Sequence, residues 1–241
     1  MMRKHPYEIL LDRKRKWSPV KPTIGTLKDG AEDTIRRALA ARHLELPVGA
    51  FIKEGLEKDV PDNARKLLED NVKDEERHDL ALGYYADALG VDEKTEKEGK
   101  LLRDAWIAHP DHTITKALVA ERAIFFVLLP FFRFNGCAAL RTLSADISRD
   151  EQIHVGANSL VCAELGLSPS PSLDKLRKAT INWVLQPLGI NTTCKYLDKK
   201  FWLDASDRLM YEGIAPEFSD TKAARMPAFF EHDNTNLPQY A

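Results

Sequence analysis

The sequence predicts an all-α protein built as a helical bundle. Three observations favour this fold class: apolar residues recur at helical spacing, proline, glycine and capping residues mark the ends of these stretches, and no segment shows the sustained alternation of a strand. A chain of 241 residues is long enough for one sizeable core, so residues 1–241 are predicted to form a single domain.

The first helices are delimited by proline. Residues 1–28 contain three prolines and are predicted to form an extended arm. Helical patterning starts near Gly30, and Pro47 is expected to kink or interrupt this first helix. A Val-Pro-Asp break then leads into a second helix, which is predicted over about 62–90.

The rest of the pattern divides into two long helices, three shorter ones and a tail. The long helices are predicted over 113–134 and 138–165, and each is followed by a glycine that suits a helix end. The other elements, in chain order, are a short helix over 101–108, helices over 173–188 and 192–211, and an irregular tail over 214–241.

Composition argues against several classes of function. The chain has 35 basic and 37 acidic residues, so its charge gives no reason to expect nucleic acid as a partner, and the basic run at 13–16 is interpreted as a solvated arm. The most apolar segment, 123–132, is too short to cross a membrane. Three isolated cysteines and a polar N-terminus without a signal peptide predict a reducing cytoplasm.

Two Glu-x-x-His elements carry the chemical signal. They are Glu75 with His78 and Glu151 with His154. Positions i and i+3 share one face of a helix, so each pair can present a carboxylate and an imidazole to the same point. A single copy is weak evidence, because charged helices produce this pattern by chance.

Two further glutamates turn these elements into a repeat. Glu121 interrupts a long apolar run, and Glu45 lies between two leucines. Each precedes the glutamate of a Glu-x-x-His element by 30 residues, which is about one helix, a turn and part of the next helix. The chain is therefore interpreted as two copies of a helical hairpin, each with a lone glutamate and a Glu-x-x-His element.

Other assignments of these glutamates remain open from sequence. A carboxylate on an apolar helix face needs a partner, and Glu121 could pair with Arg122 or Arg141 instead of a metal. Glu54 and Glu32 are alternatives to Glu45.

The double pattern is that of a ferritin-like four-helix bundle with a two-metal carboxylate site. Four carboxylates balance the charge of two divalent cations, and oxygen-rich ligation with one histidine per metal suits iron or manganese better than zinc. The expected cofactor is therefore two irons, manganese with iron, or two manganese ions. The predicted ligands are Glu45, Glu75, His78, Glu121, Glu151 and His154.

The segments around the second pair of motifs have a distinctive sequence. Residues 120–126 read Ala-Glu-Arg-Ala-Ile-Phe-Phe, and residues 148–154 read Ser-Arg-Asp-Glu-Gln-Ile-His. Both resemble metal helices of the class I ribonucleotide reductase small subunit, and Phe-Phe-Glu at 229–231 is similar to a segment near that family's C-terminus. The resemblance implies a cytoplasmic oxidoreductase subunit that forms a homodimer. Its oxidant would start ribonucleotide reduction in a large catalytic subunit.

The same resemblance implies roles for residues beyond the ligands. Asp150 matches an acidic residue that hydrogen-bonds the first-motif histidine, here His78, and belongs to a radical-transfer path. Tyr240 is the candidate relay residue of the C-terminal tail, and Trp17 is a loose match to an N-terminal relay tryptophan. Apolar residues matching the pocket beside the metals are Phe125, Leu129 and Ile147.

The sequence also departs from that family. Leu82 occupies the position of the radical-bearing tyrosine, so the oxidising equivalent is expected to stay at the metals. The Asp-Glu-Glu-Arg-His run at 74–78 is equally similar to aldehyde-deformylating oxygenases. A self-contained di-iron oxygenase or oxidase acting on an apolar substrate is therefore an alternative, as is a non-catalytic ferritin-like iron-binding protein.

Overall fold

The computed structural model describes residues 4–58, 60–190 and 192–216. Within these ranges the protein is built from helices, and the predicted all-α class is confirmed. The α-helices are α1 (Pro6–Leu11), α2 (Glu32–Ala40), α3 (Glu45–Glu57), α4 (Arg65–Leu89), α5 (Glu93–Ala108), α6 (Thr113–Ala120), α7 (Phe126–Asn135), α8 (Ala138–Leu165), α9 (Pro171–Val184) and α10 (Lys199–Gly213).

Four helical elements form the central bundle. Helix α3 packs on α4 and α6, and α8 packs on α4, α6 and α7. The α6 and α7 helices act as one long element, joined by a π-helical segment at Glu121–Phe125. The sides of these elements that face one another are buried, and they are apolar apart from a group of buried polar and charged residues. Helices α2, α5, α9 and α10 cover the bundle from outside.

The N-terminal arm is not extended throughout. Residues Pro6–Leu11 form α1, so the expectation of an extended arm over 1–28 is wrong for this stretch. Proline favours the first turn of a helix, where its missing N–H has no partner to lose, and Pro6 occupies that turn. Tyr7 is buried and its hydroxyl donates to Glu164 at 2.9 Å, which anchors α1 to the end of α8.

The first predicted helix is interrupted before Pro47 rather than at it. A 3₁₀ segment at Ala41–Leu44 separates α2 from α3, and Pro47 lies in the first turn of α3, where it is tolerated. Helix α5 starts at Glu93, earlier than predicted, because Asp92 caps it by accepting from the backbone N–H of Thr95.

The long third helix contains a local π-helical turn. The helix predicted over 113–134 is instead divided, because residues Glu121–Phe125 form a π-helical turn that takes up one extra residue. Such π segments inside α-helices occur often at functional sites, and this one begins at a predicted ligand. Among the described residues, no helix is long and apolar enough to span a membrane.

The close approach of α5 to the last residue of α2 requires a glycine. A Cβ at position 99 would lie 2.8 Å from the backbone oxygen of Ala40, whereas a Cβ at Gly83 would meet nothing closer than 3.9 Å. We therefore expect Gly99→Ala to lower the free energy of unfolding by about 1–3 kcal/mol. Gly83→Ala should raise it by up to about 1 kcal/mol, because alanine is the better helix former.

Urea unfolding followed by circular dichroism measures both effects. The two variants make the same chemical change within helices, so propensity alone would stabilise both. Equal or greater stability of Gly99→Ala would show that α5 can move away from Ala40 without loss.

Candidate metal centre

All six predicted ligands lie at the centre of the bundle. None has more than 1% of its surface exposed. Glu45 begins α3, Glu75 and His78 lie in the middle of α4, Glu121 begins the π segment, and Glu151 and His154 lie in the middle of α8. Four helical elements that are distant in sequence therefore each contribute to one cluster.

The two glutamates that were alternatives to Glu45 do not reach this cluster, and Arg122 does not pair with Glu121. Glu54 is exposed and pairs with Lys58, and Glu32 is exposed and pairs with Arg36. The Arg122 side chain, which was a possible partner for Glu121, instead donates from Nε to the backbone oxygen of Leu209.

The six side chains form two overlapping groups. One group contains Glu45, Glu75, His78 and Glu151, and the other contains Glu75, Glu121 and His154; within each group the ligand atoms lie within 4.8 Å of one another. Glu75 belongs to both groups. Glu151 also reaches the second group, since its Oε2 lies 3.7 Å from His154 Nδ1. Two carboxylates thus lie between two positions, each of which has its own glutamate and histidine.

The atoms that face the cluster centre have no other partner. Nδ1 of His154 is 2.9 Å from Glu75 Oε1, and Nδ1 of His78 is 3.1 Å from Glu151 Oε1, but neither contact has hydrogen-bond geometry. Both oxygens of Glu45, Glu75 and Glu151 are likewise buried without a hydrogen bond. Unpaired buried carboxylates cost several kcal/mol, so this donor set fits a pair of metal ions.

The electrostatics of the cluster indicate a site that takes up cations. Burial raises the pKa of Glu45 and that of Glu121 well above the ordinary value for glutamate. Burial alone would lower the pKa of His154, but the charges of Glu75 and Glu151 raise that pKa to about 10. The cluster therefore holds protons at neutral pH when no cation is present, and a divalent cation would displace them.

Each histidine is held from behind by an aspartate. Nε2 of His78 is 3.2 Å from Asp150 Oδ2, and Nε2 of His154 is 3.0 Å from Asp74 Oδ2. Both rings therefore direct Nδ1 to the cluster. The contact between Asp150 and His78 was expected, but the role of Asp74 was missed. A signal was present in the sequence, since both copies read Asp-Glu-x-x-His with an offset of 76 residues.

The N-terminal arm supplies an outer layer to the site. The Trp17 indole donates to Asp150 Oδ2 at 2.7 Å, and Arg77 donates to the same atom at 2.9 Å. Arg77 and Lys14 both form ion pairs with Asp74. The interpretation of residues 13–16 as a solvated run is therefore wrong for Lys14, whose side chain is only 9% exposed.

One position breaks the symmetry between the two copies. Asn158 donates to Glu121 Oε2 at 2.7 Å, and the residue 76 positions earlier is Leu82, which is buried. Glu45 consequently has no equivalent donor. The expected apolar surroundings of the site, Phe125, Leu129 and Ile147, are all buried.

Comparisons with known proteins support the fold but do not show a family or a function. No protein-family model matches the chain, and no curated relative does. The chain is similar to a solved structure from Bacillus halodurans that is provisionally assigned to class I ribonucleotide reductase, with a TM-score of 0.58 and 14% identity over 90% of this chain and 95% of that one. At this identity the likeness shows a shared fold. The protein is thus a ferritin-like helical bundle with a buried carboxylate and histidine cluster that could hold two metals.

Removing one negative charge from the cluster should separate metal binding from folding. Glu121→Gln keeps the shape and can still accept from Asn158, but it removes a ligand charge. We expect weaker metal binding, together with a higher thermal midpoint of the metal-free protein, because glutamine removes the desolvation and repulsion that raise the pKa of Glu121. The midpoint should rise by about 2–4 °C per kcal/mol of this relief.

Thermal unfolding in the presence of a chelator gives the midpoint of the metal-free protein. The same measurement with anaerobic iron(II) shows how much the bound metals stabilise it. Glu54→Gln is the matched control, because Glu54 is an exposed glutamate outside the cluster. A Glu121→Gln protein that binds two metals as tightly as the unmodified chain would remove Glu121 from the site.

The aspartate behind His154 should matter as much as the one behind His78. Asp74→Ala is expected to weaken metal binding by about 10–100-fold, because the imidazole loses the partner that fixes its orientation. Asp70→Ala is the control, since Asp70 also pairs with Lys14, at 3.5 Å, and lies one turn away on α4. Its effect should stay below about twofold, because the ion pair with Lys14 at 3.5 Å is long and Lys14 keeps its pairing with Asp74. Titration with manganese(II) followed by electron paramagnetic resonance gives the affinities, and equal effects of the two variants would contradict a role through His154.

Proposed function

We propose that this protein is a small-subunit-like component of a class I ribonucleotide reductase. In this proposal its two-metal carboxylate site activates oxygen and produces the oxidant that starts ribonucleotide reduction in a large partner subunit. The observation that carries the proposal is the hydrogen-bonded connection from Trp17 through Asp150 to His78. A storage or purely structural site does not need a link from a buried metal ligand to a redox-capable side chain near the surface.

Each side chain of the cluster has a distinct role in this proposal. Glu75 and Glu151 would contribute to both metal positions, while Glu45 with His78 would hold one metal and Glu121 with His154 would hold the other. A pair of iron or manganese ions supplies the reaction with oxygen and stores the oxidising equivalent. Asp74 and Asp150 accept hydrogen bonds from Nε2–H of the histidines, which would leave each Nδ1 lone pair free for a metal.

The oxidising equivalent is proposed to remain at the metals. Leu82 cannot carry a phenoxyl radical. The buried Tyr85 on the same helix donates its hydroxyl to the backbone oxygen of Ala139 at 2.9 Å, which directs that hydroxyl to the start of α8. Position 82 therefore has no tyrosine, and the hydroxyl of Tyr85 is already engaged at the start of α8. Neither residue offers a phenol beside the cluster that could carry a tyrosyl radical.

The partner, assembly and location follow from the same proposal. The protein would act as a homodimer in the cytoplasm with a large catalytic subunit, and it would not bind nucleic acid or membrane. Tyr240 would relay the radical near the docking tail. That residue and the Phe-Phe-Glu segment at 229–231 lie outside the described residues, so their roles rest on the sequence resemblance alone.

A second candidate function is a self-contained oxygenase or oxidase acting on an apolar substrate. The observation that favours it is the apolar wall beside the cluster, where Leu82 and Phe125 are both buried. Such an enzyme needs no large subunit. A non-catalytic iron-binding role would need neither Trp17 nor a partner.

The functions are distinguished by metal loading followed by assays with and without a cognate large subunit. We expect two metals per chain, no tyrosyl radical by electron paramagnetic resonance after exposure to oxygen, and nucleotide reduction only in the mixture. Trp17→Phe should keep the metals but reduce this activity by at least about 100-fold, since it removes the donor to Asp150.

Other outcomes select against the proposal. A stable tyrosyl signal would contradict the assignment to the metals. Turnover of a fatty aldehyde by the isolated chain would favour the oxygenase. Full activity of Trp17→Phe in the mixture would exclude the path through Asp150.

A further inference from the structure

The π turn at Glu121–Phe125 sets the direction of one predicted metal ligand. Phe126 donates its backbone N–H to the carbonyl oxygen of Glu121, five residues earlier, where an α-helix would span four. One extra residue changes the phase of a helix by about 100°. A return of this turn to α-helical geometry would therefore rotate Glu121 by about that angle relative to α7. Such turns are rare, so contacts from neighbouring elements have to hold this one in place.

Helix α10 supplies these contacts from the outer side of the bundle. The hydroxyl of Ser206, which is fully buried, donates to the backbone oxygen of Ala123 in the middle of the turn at 2.7 Å. In the opposite direction, Nε of Arg122 donates to the backbone oxygen of Leu209 at 3.1 Å. Two hydrogen bonds thus join α10 to the turn that begins with Glu121.

The direction of the Ser206 hydroxyl is fixed by Arg177 on α9. Nη1 of Arg177 is 2.6 Å from Ser206 Oγ, and a guanidinium group can only donate. Ser206 therefore accepts from Arg177, and its one proton is directed to the carbonyl of Ala123, which can only accept. Arg177 is itself held by Asp174 at 2.6 Å and by Asp207 at 2.7 Å. A hydroxyl that accepts from a cation is also a stronger donor, because hydrogen bonds in a chain polarise one another.

We infer that Ser206, oriented by Arg177, is a positioning residue for the metal ligand Glu121. Its hydrogen bond to Ala123 holds the π turn, and the turn directs the carboxylate to the cluster. The inference goes beyond the proposed function, because it requires the metal site but no particular reaction. Helices α9 and α10, which lie outside the four-element bundle, thereby influence the metal centre.

This influence is confined to one of the two metal positions. Glu121 is the one member of the six-ligand set that lies in the π turn. It belongs to the group with Glu75 and His154, and not to the group that contains Glu45 and His78. A change in the turn should therefore weaken one metal position and spare the other.

Titration of the full chain with manganese(II), followed by electron paramagnetic resonance, tests this expectation. Two manganese ions about 4 Å apart couple to each other, so the spectrum distinguishes a pair from a single ion. Ser206→Ala should weaken one binding step by at least about tenfold, leave the other within about twofold, and replace the coupled signal with that of a single ion. Ser206→Thr keeps a hydroxyl and should restore the coupled signal.

Ser144→Ala is the matched control. The hydroxyl of Ser144 is also buried and donates to a backbone oxygen of the same long element, that of Leu129, at 2.6 Å. Leu129, however, lies in the regular α-helical part of this element. Both alanine variants should lower the thermal midpoint of the metal-free chain, since each leaves a buried carbonyl without its donor. Only Ser206→Ala should lose a metal position.

The inference is overturned if Ser206→Ala binds two manganese ions as tightly as the unmodified chain does. It is also overturned if Ser144→Ala weakens one binding step to the same extent, because that result would reflect a general loss of stability. A Ser206→Thr chain that regains the thermal midpoint but not the coupled signal would likewise contradict a role through the hydroxyl. None of these measurements depends on nucleotide reduction, so failure of the proposed function would leave their outcome unchanged.

Discussion

Four carboxylates buried at one point impose the main constraint on this structure. Glu45, Glu75, Glu121 and Glu151 are each at most 1% exposed and come from four different helical elements. Their desolvation and mutual repulsion oppose folding, and burial raises the pKa of Glu45 and of Glu121 as a result. Two divalent cations would cancel four negative charges and convert the same repulsive cluster into a cross-link between these elements. The helices around the site therefore have to be rigid enough to hold the cluster before the cations arrive.

Charge around this cluster is balanced in two layers. The inner layer consists of the four glutamates, whose charges two divalent cations could balance. The outer layer consists of Asp74 and Asp150, and the chain neutralises it itself with Lys14 and Arg77. Burial alone would raise the pKa of both aspartates. Hydrogen bonds from His154 and Lys14 nevertheless hold the pKa of Asp74 below the ordinary value, and hydrogen bonds from His78 and Trp17 do the same for Asp150. Both aspartates thus stay ionised and keep the histidine rings oriented toward the centre.

The sequence reveals the inner layer more readily than the outer one, for physical reasons. The ligands follow helical periodicity and a repeated 30-residue spacing, so Glu45, which had exposed rivals, could be selected by spacing alone. Asp74 shares the repeated motif and was detectable in principle. Lys14 was not, and Trp17 was indicated only by the family resemblance, because both reach the site from an irregular arm whose path depends on tertiary packing. The π segment at Glu121–Phe125 has no local sequence signal either, since it depends on how α6 and α7 fit against α8.

The two halves of the site share a geometry but differ in what surrounds them. On the His154 side, Asn158 fixes one oxygen of Glu121, and Lys14 pairs with the aspartate behind the histidine. On the His78 side, Leu82 replaces the donor, so neither oxygen of Glu45 has a hydrogen bond. That same histidine is the one joined to Trp17 through Asp150. The carboxylate without a donor and the connection to the surface therefore meet at one end of the cluster, while at the other end Asn158 fixes the carboxylate of Glu121.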